Sequence, residues 1–224
     1  MILMRKPMQR VKKPRKDMGK REERKKIVIP VKVFGRWDSL GIEVKDLGLK
    51  PYISLEPHIL PRSAGKYRRT FHKSKAHIVE RLALHVMQPG HIGKTHRKSS
   101  GKLGGALYTS LHEVEKALEI AESVEKKNPI EILVKAIENV ALREEIISYQ
   151  VGSVIAREAV ISAPQRRVDK ALRMFAQGSL AKVRGKKYSI AQALADEMVA
   201  AYRGKESFAL REKERIEREA AGAR

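Results

Sequence analysis

"SAPQRRVDKALRMFAQGS", residues 162–179, places basic and amide side chains among apolar ones at the spacing of an amphipathic helix. Pro164 suits the first turn of a helix and Gly178 suits an end, so the pattern predicts a helix over 164–177. On a helical projection the two kinds of side chain separate onto opposite faces. The basic and amide face consists of Arg166, Lys170, Arg173 and Gln177, and the apolar face of Val168, Leu172 and Phe175.

Two interpretations of the basic face are open, a solvated surface or a binding surface. Exposed Lys and Arg faces are common, so this helix alone does not decide between them. The whole chain carries a formal net charge of +22 over 224 residues, which favours a polyanionic partner. A neighbouring segment with Arg157 and the later "KVRGKK" (182–187) would extend the same surface. Guanidinium groups on a rigid helix also match the geometry of phosphate oxygens.

Most of the excess charge lies in two stretches. Residues 1–26 hold 12 basic and 3 acidic side chains, and residues 61–102 hold 11 basic and 1 acidic. In the second stretch, Tyr67 and Phe71 lie between cations, where aromatic rings can stack on unpaired bases or pack as satellites of the core. The candidate RNA-binding cations of this stretch are Lys66, Arg68, Arg69, Lys73, Lys75, Lys94, Arg97, Lys98 and Lys102.

Composition divides the chain into four parts. Residues 1–26 have prolines and few aliphatic side chains, which predicts a basic, disordered N-terminal arm. Residues 27–74 are interrupted by prolines and glycines and predict an extended segment that wraps the rest. Residues 75–204 are the predicted helical RNA-binding domain. Residues 205–224 predict a charged C-terminal tail with helical character, which needs a partner to be stably ordered.

Capping signals place the other helices of this domain. An apolar stripe predicts a helix over 76–87. Ser110, Asn128 and Ser189 each precede Glu or Gln by three residues, the arrangement found at helix starts. The helix that begins at Ser189 should end at Gly204.

Between these helices the period changes from helical to alternating. Apolar and polar side chains alternate from Ile147, Gly152-Ser153 suits a tight turn, and residues 154–161 can return as a second strand. The predicted fold class is therefore mainly α, a helical bundle-like domain with a protruding β-hairpin at about 147–161.

Catalytic chemistry finds little support in the sequence. Cysteine is absent, which excludes disulfides, thiolate catalysis and Cys-based zinc sites. "GHIGKTH" (90–96) lacks the glycine spacing of a phosphate-binding loop, and the pairs His72/His77 and His91/His96 do not share a helical face. No apolar run reaches the roughly 18 residues of a membrane span. We expect no enzyme activity, no cofactor, no metal site and no membrane contact.

Five blocks, taken in order, resemble the small-subunit ribosomal protein seven family in its archaeal and eukaryotic form. Together they span about residues 30–224, and their order is more specific than any single block. The blocks are "FGRWD" (34–38), "IVERLALHVM" (78–87), "NPIEILVKAIENVALREE" (128–145), "APQRRVDKALRMFAQG" (163–178) and "SFALREKERIERE" (207–219).

The resemblance implies a structural protein of the cytoplasmic small ribosomal subunit. It implies binding to the 3′ major domain of the rRNA, a role in assembly of the head, a position facing exit-site tRNA and the mRNA path, and neighbouring head and platform proteins. By position, it implies rRNA contacts for the basic stretches at 66–75 and 94–102 and for Arg166, Arg167 and Arg173. Lys170, in the same basic row of the helical projection, is a further candidate rRNA contact. It implies tRNA or mRNA contacts for Arg143, Tyr149, Gly152, Ser153 and Arg157.

A general nucleic-acid or chromatin-binding protein is the alternative. The two hypotheses differ in preference, because a ribosomal protein should bind its folded rRNA domain better than bulk duplex DNA. A nucleotide-dependent enzyme would instead bind ATP or a metal ion, and we expect neither.

Overall fold

The structure, a computed structural model, describes residues 31–57, 70–90 and 106–224. The predicted arm at 1–26 lies outside these ranges. The prediction of a mainly helical fold with a two-stranded hairpin is confirmed. In chain order the elements are α1 (Ile78–Val86), α2 (Leu107–Glu125), α3 (Pro129–Val140), β1 (Glu144–Val151), β2 (Val154–Ile161), α4 (Pro164–Val183), α5 (Ile190–Tyr202) and α6 (Phe208–Ala221).

The hydrophobic core lies where the apolar faces of the helices meet around α5. This helix packs against α2, α3, α4 and α6, while α1 packs against α2 and α4. Each helix from α1 to α5 contributes a side chain that is completely buried. Burial of each large apolar side chain stabilises the fold by roughly 1.5–3 kcal/mol. Examples are Leu82, Leu118, Ile137, Phe175 and Leu194.

Two of the three predicted helix caps are confirmed. The side chain of Asn128 accepts from the Ile130 amide before Pro129 begins α3, and Ser189 forms a complete capping box with Gln192 before α5. The prediction at Ser110 is wrong, because α2 begins at Leu107. The Ser110 hydroxyl lies inside the helix and donates to the Ala106 carbonyl, one turn back.

The segment at 31–57 packs against the helices in short extended pieces and completes their hydrophobic core. Leu49 is fully buried, and Trp37 is nearly so. The Trp37 indole donates to Glu122 of α2 over 2.9 Å, and the Arg167 side chain of α4 contacts Asp46. The segment has no separate core, because its buried apolar side chains belong to the helical cluster.

Helix α4 is longer than predicted, because Gly178 lies inside it and does not end it. The helix continues to Val183 through a buried position. A Cβ built on Gly178 would lie 2.9 Å from the Cβ of Phe208 and 3.1 Å from the carboxyl carbon of Glu197. Glycine is therefore required here for close approach of α4 to α5 and α6, and not for a helix-ending conformation.

The C-terminal tail forms α6, and its partner is the chain itself. The helix packs against β1, α4, β2, α3 and α5. The buried Glu197 carboxylate of α5 accepts from the Phe208 amide at the start of α6 and pairs with Lys182 over 2.9 Å. Ser207 caps the same helix through the Leu210 amide. The negative charge of the Glu197 carboxylate also stabilises α6, because it lies near the positive N-terminal end of the helix dipole.

The hairpin formed by β1 and β2 begins three residues earlier than predicted. Its strands pair antiparallel from Glu144 opposite Ile161 to Val151 opposite Val154. Gly152 has a φ of +61°, whereas Ser153 does not enter the positive region, which is the pattern of a II′ turn. Most hairpin residues beyond Ile146 are exposed, so the hairpin projects from the helical body.

Gly178→Ala tests the close approach of α4 to its neighbours. Alanine gains up to about 1 kcal/mol of helix propensity, but overpacking costs about 1–3 kcal/mol. We expect the free energy of unfolding to fall by about 1 kcal/mol, measured by urea denaturation. The control is Gly222→Ala, whose Cβ would meet nothing nearer than the Glu219 carbonyl at 3.6 Å. Equal stability of the two variants would contradict the packing explanation.

Candidate nucleic-acid interface

The predicted basic face of α4 lies on its outer side. Arg166 and Arg173 are exposed, and Lys170 and Gln177 are half-buried. The opposite face, with Val168, Leu172 and Phe175, is completely buried. Pro164 occupies the first turn, as predicted, and the N-cap Ala163 offers no side-chain hydrogen bond to the free amides there. The amphipathic helix thus presents a rigid cationic surface.

Arg166 is oriented by an acidic residue from the hairpin. Its Nε lies 2.5 Å from the Glu145 carboxylate. Burial raises the pKa of Glu145, but the hydrogen bond and the charge of Arg166 outweigh this and lower it. The pairing also raises the pKa of Arg166. Arg166 therefore meets a ligand from a fixed position, with part of its charge already compensated.

Arg167 has a different role from its neighbour. Its Nε donates to the Leu142 carbonyl over 2.7 Å, and its Nη2 donates to Asp46 over 3.0 Å. The side chain is only 17% exposed. Arg167 thus joins the α3–β1 connection to the extended segment, and its donors are largely occupied by protein groups.

Asp169, the only acidic residue of α4, is partly buried beneath the basic row. Its carboxylate accepts from Arg81 over 2.9 Å and lies 3.8 Å from both Lys73 and His85. Arg81 is 3% exposed and also donates to the Tyr52 carbonyl over 2.6 Å. Burial opposes ionisation, but the hydrogen bond from Arg81 and the charges of Arg81 and Lys73 hold the pKa of Asp169 well below its usual range.

Lys170 lies at the centre of the basic row. Burial lowers its pKa, and the charges of Arg166 and Arg173 lower it further, against a smaller opposing effect of Glu145. Three cations close together repel one another, and an anion placed among them relieves that repulsion. The row is therefore electrostatically suited to a phosphate group.

A groove of about 320 Å³ runs between α4 and Phe71. Ala163, Gln165, Arg166, Asp169, Lys170 and Arg173 form its α4 side. Phe71 precedes the 3₁₀ turn at His72–Lys75 and is 57% exposed. The groove therefore combines cations, an amide and an aromatic ring, the groups that proteins use to bind unpaired nucleotides.

The predicted loop cations divide into two groups. Lys73 and Lys75 are exposed on the 3₁₀ turn, and Lys73 approaches the groove through its contact with Asp169. The others lie outside the described residues, as does "GHIGKTH" from His91 onward. The predicted cations outside the described residues are Lys66, Arg68, Arg69, Lys94, Arg97, Lys98 and Lys102.

The predicted tRNA-facing residues lie along the hairpin but do not form one surface. Arg143 is at its base, where its amide donates to Glu217 of α6, and Gly152-Ser153 forms the tip. Tyr149 pairs with Ala156, and Ser148 with Arg157, so Tyr149 and Arg157 lie on opposite faces. From 144 to 161 the hairpin has three glutamates and one arginine, and it is not basic.

Helix α2 differs from α4 in charge. Helix α2 contains five glutamates and one lysine, and Glu122 is exposed at the Trp37 contact. No group of three or more His, Cys, Asp or Glu in the described residues could hold a metal ion. Nor is any helix in those ranges long and apolar enough to cross a membrane.

Two residues of this surface were not predicted. Gln165 directly precedes Arg166 in the first turn of α4. This position in the sequence could have indicated that Gln165 belongs to the same surface. Glu145 reaches Arg166 only because the hairpin returns the chain to α4. No local pattern indicates that contact.

Comparison with known proteins identifies close relatives. The family described as "Ribosomal protein S7p/S5e" matches residues 49–224. Small ribosomal subunit protein uS7 of Nanoarchaeum equitans is 41% identical over 196 residues, 87% of this chain and 99% of the relative. The protein of that name from Methanococcoides burtonii is 40% identical over 86% of this chain and 99% of its own length. The resemblance inferred from the sequence blocks is confirmed.

The ion pairs of Asp169 predict acid sensitivity. Because its pKa is lower in the folded state, Asp169 contributes stability that is present above about pH 4 and is lost as pH falls below that value. In Asp169→Asn, the decline in unfolding free energy between about pH 5 and 3 should be shallower than in the parent. At pH 7 the variant should lose about 3 kcal/mol, because buried Arg81 loses its counter-charge.

Urea denaturation at each pH gives both quantities. Glu214→Gln, at an exposed position of α6, is the matched control and should change neither. A pH dependence of Asp169→Asn identical to that of the parent would contradict the assignment.

Proposed function

Because the chain belongs to the Ribosomal protein S7p/S5e family, we propose that it binds the 3′ major domain of small-subunit rRNA and helps assemble the head of the subunit. Membership of the family makes it a structural ribosomal protein of the cytoplasmic small subunit and not an enzyme. The observation that carries the rRNA proposal is the rigid basic row of α4, on the side opposite its buried face.

The proposed mechanism is phosphate neutralisation by a surface that exists before binding. Arg173 is exposed and Lys170 is crowded by like charges, so phosphates gain more here than at isolated surface lysines. Binding also releases counterions from the RNA. Arg166 remains a proposed contact from its fixed position beside Glu145. Arg167 is proposed to act mainly by holding the surface in place, with its remaining exposed part toward RNA.

The loop cations extend the proposed rRNA surface beyond α4. Lys73 and Lys75 lie on the 3₁₀ turn that follows Phe71, and Lys73 approaches Asp169 of the groove. The basic stretches at 66–69 and 94–102 are proposed to follow the RNA backbone, and the arm at 1–26 to order on it. The acid-rich α2 face repels phosphate, so we propose that it faces away from rRNA, toward neighbouring head or platform proteins.

The hairpin is the proposed contact with exit-site tRNA and the mRNA path. It projects from the helical body. The two adjacent glutamates at its base, Glu144 and Glu145, form ion pairs with Arg224 and Arg166, respectively. The remaining length offers Arg157 on one face and Tyr149 on the other, with Gly152-Ser153 at the tip. Arg143 completes this proposed set at the base of the hairpin.

Arg173→Ala tests the α4 surface. Loss of one phosphate contact should weaken binding to the transcribed 3′ major domain and reduce the slope of log K against log salt by about 1. Stability should stay within about 0.5 kcal/mol of the parent, because the side chain is exposed. Equilibrium binding over a salt series measures both affinity and slope.

Lys116→Ala is the matched control, since it removes one positive charge from the acid-rich α2. It should leave the slope unchanged. Competition with bulk duplex DNA tests the alternative of a general nucleic-acid or chromatin protein. If duplex DNA displaces the rRNA domain at equal nucleotide concentration, the ribosomal proposal is wrong.

Arg157→Glu tests the hairpin. The reversed charge should repel tRNA phosphates and reduce crosslinking of the hairpin to exit-site tRNA in reconstituted small subunits. Affinity for the isolated 3′ major domain should not change, and Arg157→Lys should retain the crosslink. Lost affinity for the isolated domain would instead assign the hairpin to rRNA.

A further inference from the structure

Phe71 combines two properties that are unusual for a large aromatic residue. It is 57% exposed, and its φ of +62° lies in the left-handed region that side chains with a Cβ rarely adopt. Strained backbone at an exposed position is a recurrent feature of binding sites, because the surrounding structure must hold it. Here the Phe71 carbonyl accepts from the Ser74 amide over 3.1 Å, which anchors the residue to the 3₁₀ turn.

Within the described part of the chain, the Phe71 ring packs against another aromatic ring. It meets the Tyr52 ring edge to face, with centroids 6.2 Å apart at an interplanar angle of 63°. Tyr52 is itself fixed, because its carbonyl accepts from buried Arg81. Phe71 is therefore a positioned ring with open surface toward the groove, and not a satellite that completes the core.

The opposite wall of the groove is the beginning of α4. Gln165 supplies an amide that can both donate and accept, and the N-cap Ala163 leaves the first amides of the helix without a side-chain acceptor. These are the polar groups that read the hydrogen-bonding edge of a base. Lys170 and Arg173 lie farther along the same wall.

The charge of the groove favours an anionic ligand. Its single carboxylate, Asp169, is already compensated by Arg81, with Lys73 and His85 nearby. The positive charge of Lys170 is less well compensated, since burial and the neighbouring Arg166 and Arg173 disfavour it. A phosphate alone would compensate the cations, but it would make no apolar contact with the exposed Phe71 ring.

We propose that this groove receives one unpaired nucleotide of the rRNA, with its base stacked on Phe71 and its phosphates beside Lys170 and Arg173. The inference rests on the proposed rRNA-binding function and gives it a ligand class, a nucleotide from a loop or bulge. A base held within a duplex does not expose a face for such stacking. The groove volume of about 320 Å³ is at the lower end of the range for small-ligand pockets.

Phe71→Ala should weaken binding of the full chain to the transcribed 3′ major domain by about 5- to 150-fold, the range for loss of one base–aromatic stack. The slope of log K against log salt should not change, because phenylalanine has no charge. Phe71→Trp should retain the affinity. The matched control is Tyr108→Ala, which removes an aromatic ring that is 82% exposed on α2.

Phe71→Gly separates stacking from folding. Glycine adopts a positive φ without strain, so this variant should be at least as resistant to urea as Phe71→Ala. It should lose the same affinity for rRNA. Binding to an oligoadenylate should also fall in both variants, whereas binding to a blunt RNA duplex should not.

The outcomes distinguish this inference from the function on which it rests. If Phe71→Ala and Phe71→Gly bind rRNA as the parent does while Arg173→Ala weakens binding, the nucleotide site is wrong and the α4 surface stands. If the parent chain shows no preference for the rRNA domain, the proposed function itself fails. Equal losses in Phe71→Ala and Tyr108→Ala would also overturn the site.

Discussion

The buried ion pair between Asp169 and Arg81 holds together the surface on which the proposed RNA contacts depend. Arg81 is nearly inaccessible, and a desolvated guanidinium is tolerated only with a close counter-charge and further acceptors. Asp169 of α4 supplies the charge, and the Tyr52 carbonyl supplies an acceptor. The pair thereby fixes α1, α4 and the extended segment relative to one another, and with them the two walls of the groove beside Phe71.

The arginines of α4 show how one basic face can serve two purposes. Arg167 uses its donors within the protein, while Arg166 is oriented by Glu145 and Arg173 remains exposed. A guanidinium group can cross-link backbone and carboxylate because its donors are planar and permanently charged. The surface is therefore rigid because part of its charge is used for structure. Such preorganisation lowers the ordering cost of binding.

Much of the fold was predictable because it follows from local patterns. The amphipathic period of α4, the Asn128 and Ser189 caps and the glycine at the hairpin turn all act within a few residues. The two failures differ in cause. Ser110 resembled a cap although α2 begins a turn earlier, and its hydroxyl bonds within the helix. Gly178 resembled a helix end although the contact with Phe208 requires it, and that contact lies outside the local window.

A basic, mainly helical protein with a hairpin follows from the order of amino acids alone, and the order of the sequence blocks indicated the ribosomal family. Composition, periodicity and block order are all properties of the linear chain. The contacts of the folded chain were needed to show that Arg167 is structural, that Glu145 meets Arg166, and that Phe71 faces α4 across a groove. These facts depend on contacts between residues far apart in sequence, and charge interactions and packing act through distance in space.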